Sequence, residues 1–270
     1  MADKSQAKQP ILKLRSALGR LKYISGAPVR WAQGASLRPF GWLHGGPAAA
    51  IARLHRLHEL TPEVVLVGYV QGIFPTGEAD GSIVWHCPAE RAVIDTNQLH
   101  VSRRLKGYIN KQRFRVSYDQ QFGKVMADCA DRKKTWITSE IIKVYEALHE
   151  TGFAHSVEAW NEGRLVGGGY GVALGRVFFL ESMFCRENHA SKVAFVQLAR
   201  KLEADGFIAI DCQFLTEHWK RFGARPLPHE TFQALVTQSL SSPACFSQAQ
   251  ALPLVTLPTM SEVENPNVTH

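Results

Sequence analysis

The chain has 270 residues, 45% of them hydrophobic and 20% charged, and its 31 Lys+Arg against 24 Asp+Glu give a formal charge of +7. This composition is that of a globular protein and excludes a wholly disordered or collagen-like chain; no apolar run reaches the roughly 18 residues of a membrane-crossing helix. The five cysteines (Cys87, Cys129, Cys185, Cys212, Cys245) include no C-x-x-C pair, which argues against a disulfide framework or a zinc knuckle and fits a reducing, cytoplasmic setting.

In chain order, the charge is uneven. Residues 1–58 hold ten Lys/Arg against Asp3, for +9; residues 101–134 carry +7 and residues 135–270 carry −4. Residues 1–52 read as a basic, disordered extension able to help hold a polyanion, with a composition also similar to that of an organelle transit peptide. A helix is signalled at Thr61-Pro62-Glu63, as N-cap, first-turn proline and first-turn acid, and ends near Gly72. Phe74-Pro75-Thr76-Gly77 reads as a turn, Ile83 to His86 and Arg91 to Ile94 as strands, Ser102 to Tyr108 as a basic helix, and Arg113 to Ser117 as a strand.

Two helices follow, one from Asp119 with Phe122, Val125, Met126 and Cys129 on one face, the other opened by Thr138 or Ser139. The period then changes to two: strands over Ala154 to Trp160, Leu165 to Leu174 and Val177 to Met183 form a meander. A helix from about Ala190 to Ala204 and a buried strand from Phe207 to Cys212 cross back onto the sheet, an α/β mixture. Residues 238–270 read as a disordered tail.

Gly167-Gly168-Gly169-Tyr170-Gly171 is no phosphate loop, because Val172 stands where a third fingerprint glycine belongs and a strand continues; it fits close backbone approach or a bulge. The histidines at 55, 58, 86, 218 and 229 make no familiar metal-ligand spacing, so no metal is expected. Three polar clusters interrupt apolar strands: His155-Ser156-Val157-Glu158, Glu181-Ser182-Met183 and Asp211-Cys212-Gln213. Buried carboxylates need partners, and three on neighbouring strands point to a site.

At these clusters the sequence resembles the leucyl/phenylalanyl-tRNA–protein transferase family. The stretches that carry the resemblance run in order from about Leu60 to Leu235. They include Gly72-Ile73-Phe74-Pro75, Thr135-Trp136-Ile137-Thr138, Ala154-His155-Ser156-Val157-Glu158, Leu165-Val166-Gly167-Gly168, Glu181-Ser182-Met183-Phe184 and Ile210-Asp211-Cys212-Gln213. The resemblance implies an α+β fold: a small N-terminal domain over 53–88, then an acetyltransferase-like (GNAT-type) mixed-sheet domain over 89–237. It implies transfer of Leu, Phe or Met from aminoacyl-tRNA to proteins with N-terminal Arg or Lys, marking them for degradation. The enzyme would be a monomer without membrane attachment or cofactor, since an aminoacyl ester is already activated.

Site residues follow from the same resemblance. Asp211 and Gln213 take the central catalytic role, with Gln213 better argued as an acceptor that positions the amine than as a base, and Glu181 holds the cationic acceptor end. Phe178, Met183, Leu198, Leu202 and Gly169 are candidates for the donor side-chain pocket. Trp85, Trp136 and Ser182 are expected near the 3′ adenosine, and Arg103, Arg104, Lys106, Lys111 and Arg113 on the tRNA backbone. Thr76, His86 and Gly169 stand where the best-known members have Trp, Trp and Met, which leaves the donor preference open. A sibling transferase with another donor or acceptor, or a non-catalytic tRNA-binding module, is the alternative.

Overall fold

The computed structural model describes residues 60–247, so the expected 1–52 extension and the tail beyond 247 lie outside the described residues. Helix α1 (Pro62–Val70) starts where Thr61 Oγ1 accepts the Val64 amide, as its capping sequence predicts. It packs on a two-stranded antiparallel sheet of β1 (Phe74–Gly77) and β2 (Ile83–His86). The segment 74–77 expected as a turn is therefore a strand: Phe74 pairs with His86 and Thr76 with Val84, and Pro75 is tolerated because this small sheet has only edges.

The main sheet has seven strands in the order β4-β5-β6-β7-β8-β3-β9. In chain order these are β3 (Glu90–Asp95), α2 (Arg103–Asn110), β4 (Arg115–Tyr118), α3 (Phe122–Ala130), α4 (Ser139–Glu150), β5 (Ala154–Asn161), β6 (Arg164–Leu174), β7 (Val177–Cys185), α5 (Ala190–Ala204), β8 (Ala209–Asp211), α6 (Glu217–Lys220), β9 (Arg225–Pro228) and α7 (His229–Ser239). Every pairing is antiparallel except β7 with β8, which α5 links as a parallel crossover. This is the α+β, mixed-sheet arrangement expected. Short β9 and α7 carried no pattern strong enough to predict them.

Alternation along the strands feeds two cores, one on each face of the sheet. Tyr170, Val172, Val177 and Phe179 pack with α1, α3, α4 and α7, whereas Val157, Val166, Phe178 and Leu180 pack with α2 and α5. The glycine run is where α5 comes in: a Cβ on Gly167 would lie 2.7 Å from that of Ala190, and one on Gly171 would lie 2.2 Å from the Phe179 carbonyl oxygen. Both readings of that strand hold, since β6 and β7 also shift register between Tyr170 and Gly171.

The tail expected to be disordered from 238 is packed through Ser247. The Phe246 ring is buried and stacks on His155 at 4.1 Å, while Lys201 Nζ donates to the Ser247 carbonyl at 2.6 Å. A buried aromatic anchor outweighs the Ser/Pro-rich composition there.

Candidate active site

Two of the three polar clusters converge where β7, β8 and β3 meet. Gly171 faces Leu180 and Tyr170 faces Ser182, so Glu181 is the extra residue of a β-bulge, a device that re-aims a side chain. The Tyr69 hydroxyl of α1 donates to Glu181 Oε1 at 2.6 Å and lies 2.6 Å from the Tyr145 hydroxyl of α4, which must donate to it in turn. Glu181 Oε2 accepts from Nε2 of Gln213 at 3.1 Å. Burial pushes the Glu181 carboxyl up to about 7, against the hydrogen bond from Tyr69.

Asp211 ends β8 with its side chain fully enclosed. It accepts from Arg91 Nε at 3.1 Å and Nη2, and from the Gln213 backbone amide at 3.0 Å. Arg91 is equally enclosed. Its Nη1 donates to the Gly72 carbonyl at 3.0 Å, and its guanidinium lies 4.7 Å and 5.1 Å from the Phe74 and Phe232 ring centres. Register explains the pairing: Val93 of β3 faces Asp211, so Arg91 follows on the same face two residues along.

Asp211 is thus a buried anchor whose direct effect is on the Gln213 backbone. Gln213 adopts φ 62°, a left-handed conformation that costs a non-glycine residue about 1 kcal/mol. The amide bond to Asp211 and the side-chain bond to Glu181 hold it there. With Nε2 committed to Glu181, the amide oxygen of Gln213 is left to accept.

Gln213 and Glu181 open onto a cleft of about 410 Å³, also lined by Trp136, Ser182, Met183, Lys192, Phe214 and Trp219. Trp136 and Ser182, expected near the 3′ adenosine, and Met183, expected in the donor pocket, all line this one cleft. Trp85 does not: it is buried against α1, where a Cβ on Gly68 would lie 2.7 Å from its ring. Phe178, Leu198 and Leu202 are enclosed in the core on the α5 face and line no part of the cleft, because their apolar surface is spent on packing. Gly169 lies opposite Met183 with no space for a side chain, a Cβ there meeting Met183 Cγ at 2.7 Å. Thr76 and His86 share a 2.7 Å hydrogen bond on the small sheet, so the two departures from the family pattern are coupled.

The third cluster stays apart. Glu158 accepts from the hydroxyls of Ser117 and Ser156, each at 2.6 Å, and His155 pairs with Asp119 at 2.8 Å, all at the β4–β5 edge. Of the expected tRNA contacts, Arg103, Arg104 and Lys111 are exposed and Lys106 partly so, all on or just after α2. Arg113 is held by Glu187 at 3.1 Å. The sequence reading missed Arg91, Tyr69, Tyr145 and Arg132. Arg91 was visible as a charge opening an apolar strand. The two tyrosines pass as apolar positions on a helix face, and Arg132, whose Nη2 donates to Ser182 Oγ at 2.7 Å, lies in a loop without pattern. Among the described residues no cluster of three or more His, Cys, Asp or Glu could hold a metal ion, and no helix is long and apolar enough to cross a membrane.

Comparison with known proteins bears on the same residues. A family model described as leucyl/phenylalanyl-tRNA protein transferase matches residues 93–237, and the model of that family's N-terminal domain matches residues 58–89. A relative from Salinibacter ruber named leucyl/phenylalanyl-tRNA–protein transferase is 46% identical over 183 residues, covering 67% of this chain and 81% of the relative. One of the same name from Gloeobacter violaceus is 45% identical over 188 residues, covering 69% of this chain and 97% of the relative.

Proposed function

The chain belongs to the leucyl/phenylalanyl-tRNA–protein transferase family, and on that premise we propose that Gln213, fixed by Asp211 and Glu181, orients the incoming α-amine of the protein acceptor. The enzyme is an aminoacyltransferase that moves an amino acid from aminoacyl-tRNA to a protein. The donor is Leu-, Phe- or Met-tRNA, and the acceptor begins with Arg or Lys. The product is marked for degradation.

The reaction is aminolysis of an ester. The amine nitrogen bonds to the aminoacyl carbonyl carbon, the bond from that carbon to the ribose oxygen breaks, and the proton lost by the amine goes to the departing oxygen. An α-amine titrates near pH 8, so a neutral fraction is present at physiological pH and no strong base is needed. What the site has to supply is alignment. The single observation that supports this reading is the direction of the Gln213 amide. Its Nε2 is occupied by Glu181 at 3.1 Å, which leaves its oxygen to accept an amine N–H and turn the lone pair toward the ester.

Glu181, as the one carboxylate lining the cleft, attracts a cationic acceptor side chain when ionised. Met183 and Trp136 form part of the donor side. No metal or nucleotide is required because the ester supplies the free energy, and the enzyme works as a cytoplasmic monomer. A panel of charged tRNAs assayed against peptides beginning with Arg, Lys, Asp or Glu tests the proposal. Transfer onto Arg and Lys is expected. Transfer onto Asp or Glu instead would overturn the acceptor assignment, and binding of charged tRNA without any transfer would overturn the catalytic one.

A further inference from the structure

Among the described residues two large apolar side chains are exposed, Phe214 at 51% and Leu215 at 37%. They stand directly after Gln213, and the backbone on either side of them is fastened. Before them, the Gln213 amide donates to Asp211 at 3.0 Å, and the Gln213 carbonyl accepts the Ala92 amide of β3 at 3.1 Å. After them, Thr216 caps α6, its Oγ1 accepting the Trp219 amide at 3.4 Å. A two-residue bridge between fixed ends has little freedom to turn its side chains inward, so their exposure belongs to the fold. A single exposed apolar side chain needs no explanation. Phe214 differs because it lines the cleft, whereas Leu215 does not. Its ring meets the Phe74 ring of β1 edge-on, with centres 5.8 Å apart, an arrangement that holds the ring upright at the cleft wall.

The walls of the cleft differ in what they repel. On one side it runs into a basic groove of about 540 Å³, which shares Lys192 and His218 with it and is also lined by Arg104, Lys220 and Arg221. A peptide that begins with a cation is repelled there. Trp136 and Met183 stand on the donor side assigned above. The Phe214 wall carries no charge, adjoins Gln213 and is half open to water. Distance favours the same wall. Consecutive Cα atoms lie about 3.8 Å apart, so a side chain one residue beyond an amine held by Gln213 comes within reach of the side chain one residue beyond Gln213.

We propose that Phe214 is the wall of a second acceptor subsite, which takes the side chain of the residue after the N-terminal Arg or Lys and favours an aromatic or aliphatic one. The proposal rests on the acceptor reading above and extends it from the first residue of the acceptor to the second. Charge and apolar surface divide the recognition between them. Glu181 draws the cationic first side chain, and Phe214 buries the second, removing apolar surface of both partners from water. A second residue without a side chain gains nothing from the ring, and a charged one loses hydration against it.

Acceptor kinetics of the full-length protein at saturating aminoacyl-tRNA test this, on peptides that begin Arg-Phe, Arg-Leu or Arg-Gly and are otherwise identical. The wild type should favour Arg-Phe and Arg-Leu over Arg-Gly by about tenfold in kcat/KM. Phe214→Ala should lower kcat/KM for Arg-Phe about tenfold and leave Arg-Gly within about twofold, and Phe214→Leu should restore most of the preference. Leu215→Ala also removes an exposed apolar side chain, but one outside the cleft, and should leave the ratio unchanged. A wild type indifferent to the second residue, or an equal loss on Arg-Gly, overturns the proposal. So does a raised KM for aminoacyl-tRNA in Phe214→Ala, which would place the ring on the donor. Calorimetric binding of the same peptides keeps the two readings apart. If no peptide is a substrate but Phe214→Ala weakens binding of Arg-Phe and not of Arg-Gly, the subsite stands and the transferase reading falls. If only peptides beginning with Asp or Glu are substrates, the same second-residue series on those peptides decides the subsite. Peptides that neither bind nor react overturn both.

Discussion

Glu181 is the residue at which stability and function pull apart. Its carboxyl titrates near 7 because it is buried, well above the ordinary carboxylate range. A raised carboxyl pKa stabilises the fold fully below the unfolded value and loses that contribution as pH rises through 7, about 3 kcal/mol for a shift of this size. Glu181→Gln should therefore raise Tm at pH 8 and remove part of the fall in stability between pH 5 and 8, as thermal unfolding across that range would measure. The same change should lower kcat/KM by about 10–100-fold. A glutamine at 181 presents its own NH2 to Gln213, whose amide must then turn so that NH2 rather than oxygen faces the amine. In the wild type, kcat/KM should decline below about pH 8 as the acceptor α-amine protonates, and more steeply below about 7, where Glu181 takes up its proton and no longer attracts the cationic acceptor. A kcat/KM profile for Glu181→Gln that keeps the steeper fall below about pH 7 would show that this second ionisation belongs to another group. Asp211 makes a different prediction, because it touches Arg91 and a backbone amide and does not line the cleft. Asp211→Asn leaves a buried guanidinium unpaired and should cost about 3–5 kcal/mol of stability, with turnover falling more than tRNA affinity. Replacing both partners, Arg91→Met with Asp211→Leu, should recover the stability without the turnover; recovery of both would show the pair to be purely structural.

At the scale of elements, the helices and the meander were legible because each declares itself locally. Thr61, Ser102 and Thr138 cap α1, α2 and α4 through their hydroxyls, and the period-two run over β5, β6 and β7 is long. The misreadings share a cause, which is that burial at a distance decided them. Phe74–Gly77 is a strand because β2 pairs with it, β9 pairs along the far side of β3, and Phe178 is core because α5 covers it, as are Leu198 and Leu202 on the buried face of α5 itself. The convergence of Glu181 with Asp211 and Gln213 could be anticipated from polar residues on apolar strands, but its tie to Tyr69 could not, since that interaction spans 112 residues. The Gly167–Ala190 approach sets where α5 begins and hence where Lys192 and the cleft wall stand. Gly167→Ala must push the first turn of α5 off β6, because the atoms 2.7–2.9 Å from the new Cβ include α5 backbone. A destabilisation of about 1–3 kcal/mol is expected, measurable by denaturant unfolding, together with a rise in KM for aminoacyl-tRNA. Destabilisation with unchanged KM would separate helix seating from donor binding.

For the whole molecule, the formal +7 conceals a division of labour that the fold makes spatial. Residues 1–52 hold eight Lys/Arg and one acid, so the remainder of the chain carries a net charge of zero. Within that neutral remainder the cations are gathered: the +7 of residues 101–134 contributes α2 with Arg104 and the loop with Arg132, while Lys192, Lys220 and Arg221 join from other elements. Local charge at the groove and the cleft, rather than the total, sets the potential that a polyanion meets at short range, since the total acts only through long-range attraction that salt screens over about 10 Å. Removing residues 1–52 should therefore leave kcat for aminoacyl-tRNA within about twofold, because Glu181, Asp211 and Gln213 hold one another in place within residues 60–247 and the arm's charge acts through long-range attraction. The KM should rise at low salt, and the gap between truncated and full-length protein should narrow as salt increases from about 50 to about 200 mM, since screening weakens the attraction that the arm supplies. Steady-state kinetics of the two proteins across that range measures both effects. A truncated protein that loses kcat with aminoacyl-adenosine, a donor without phosphates for the arm to attract, would show that residues 1–52 take part in the chemistry itself.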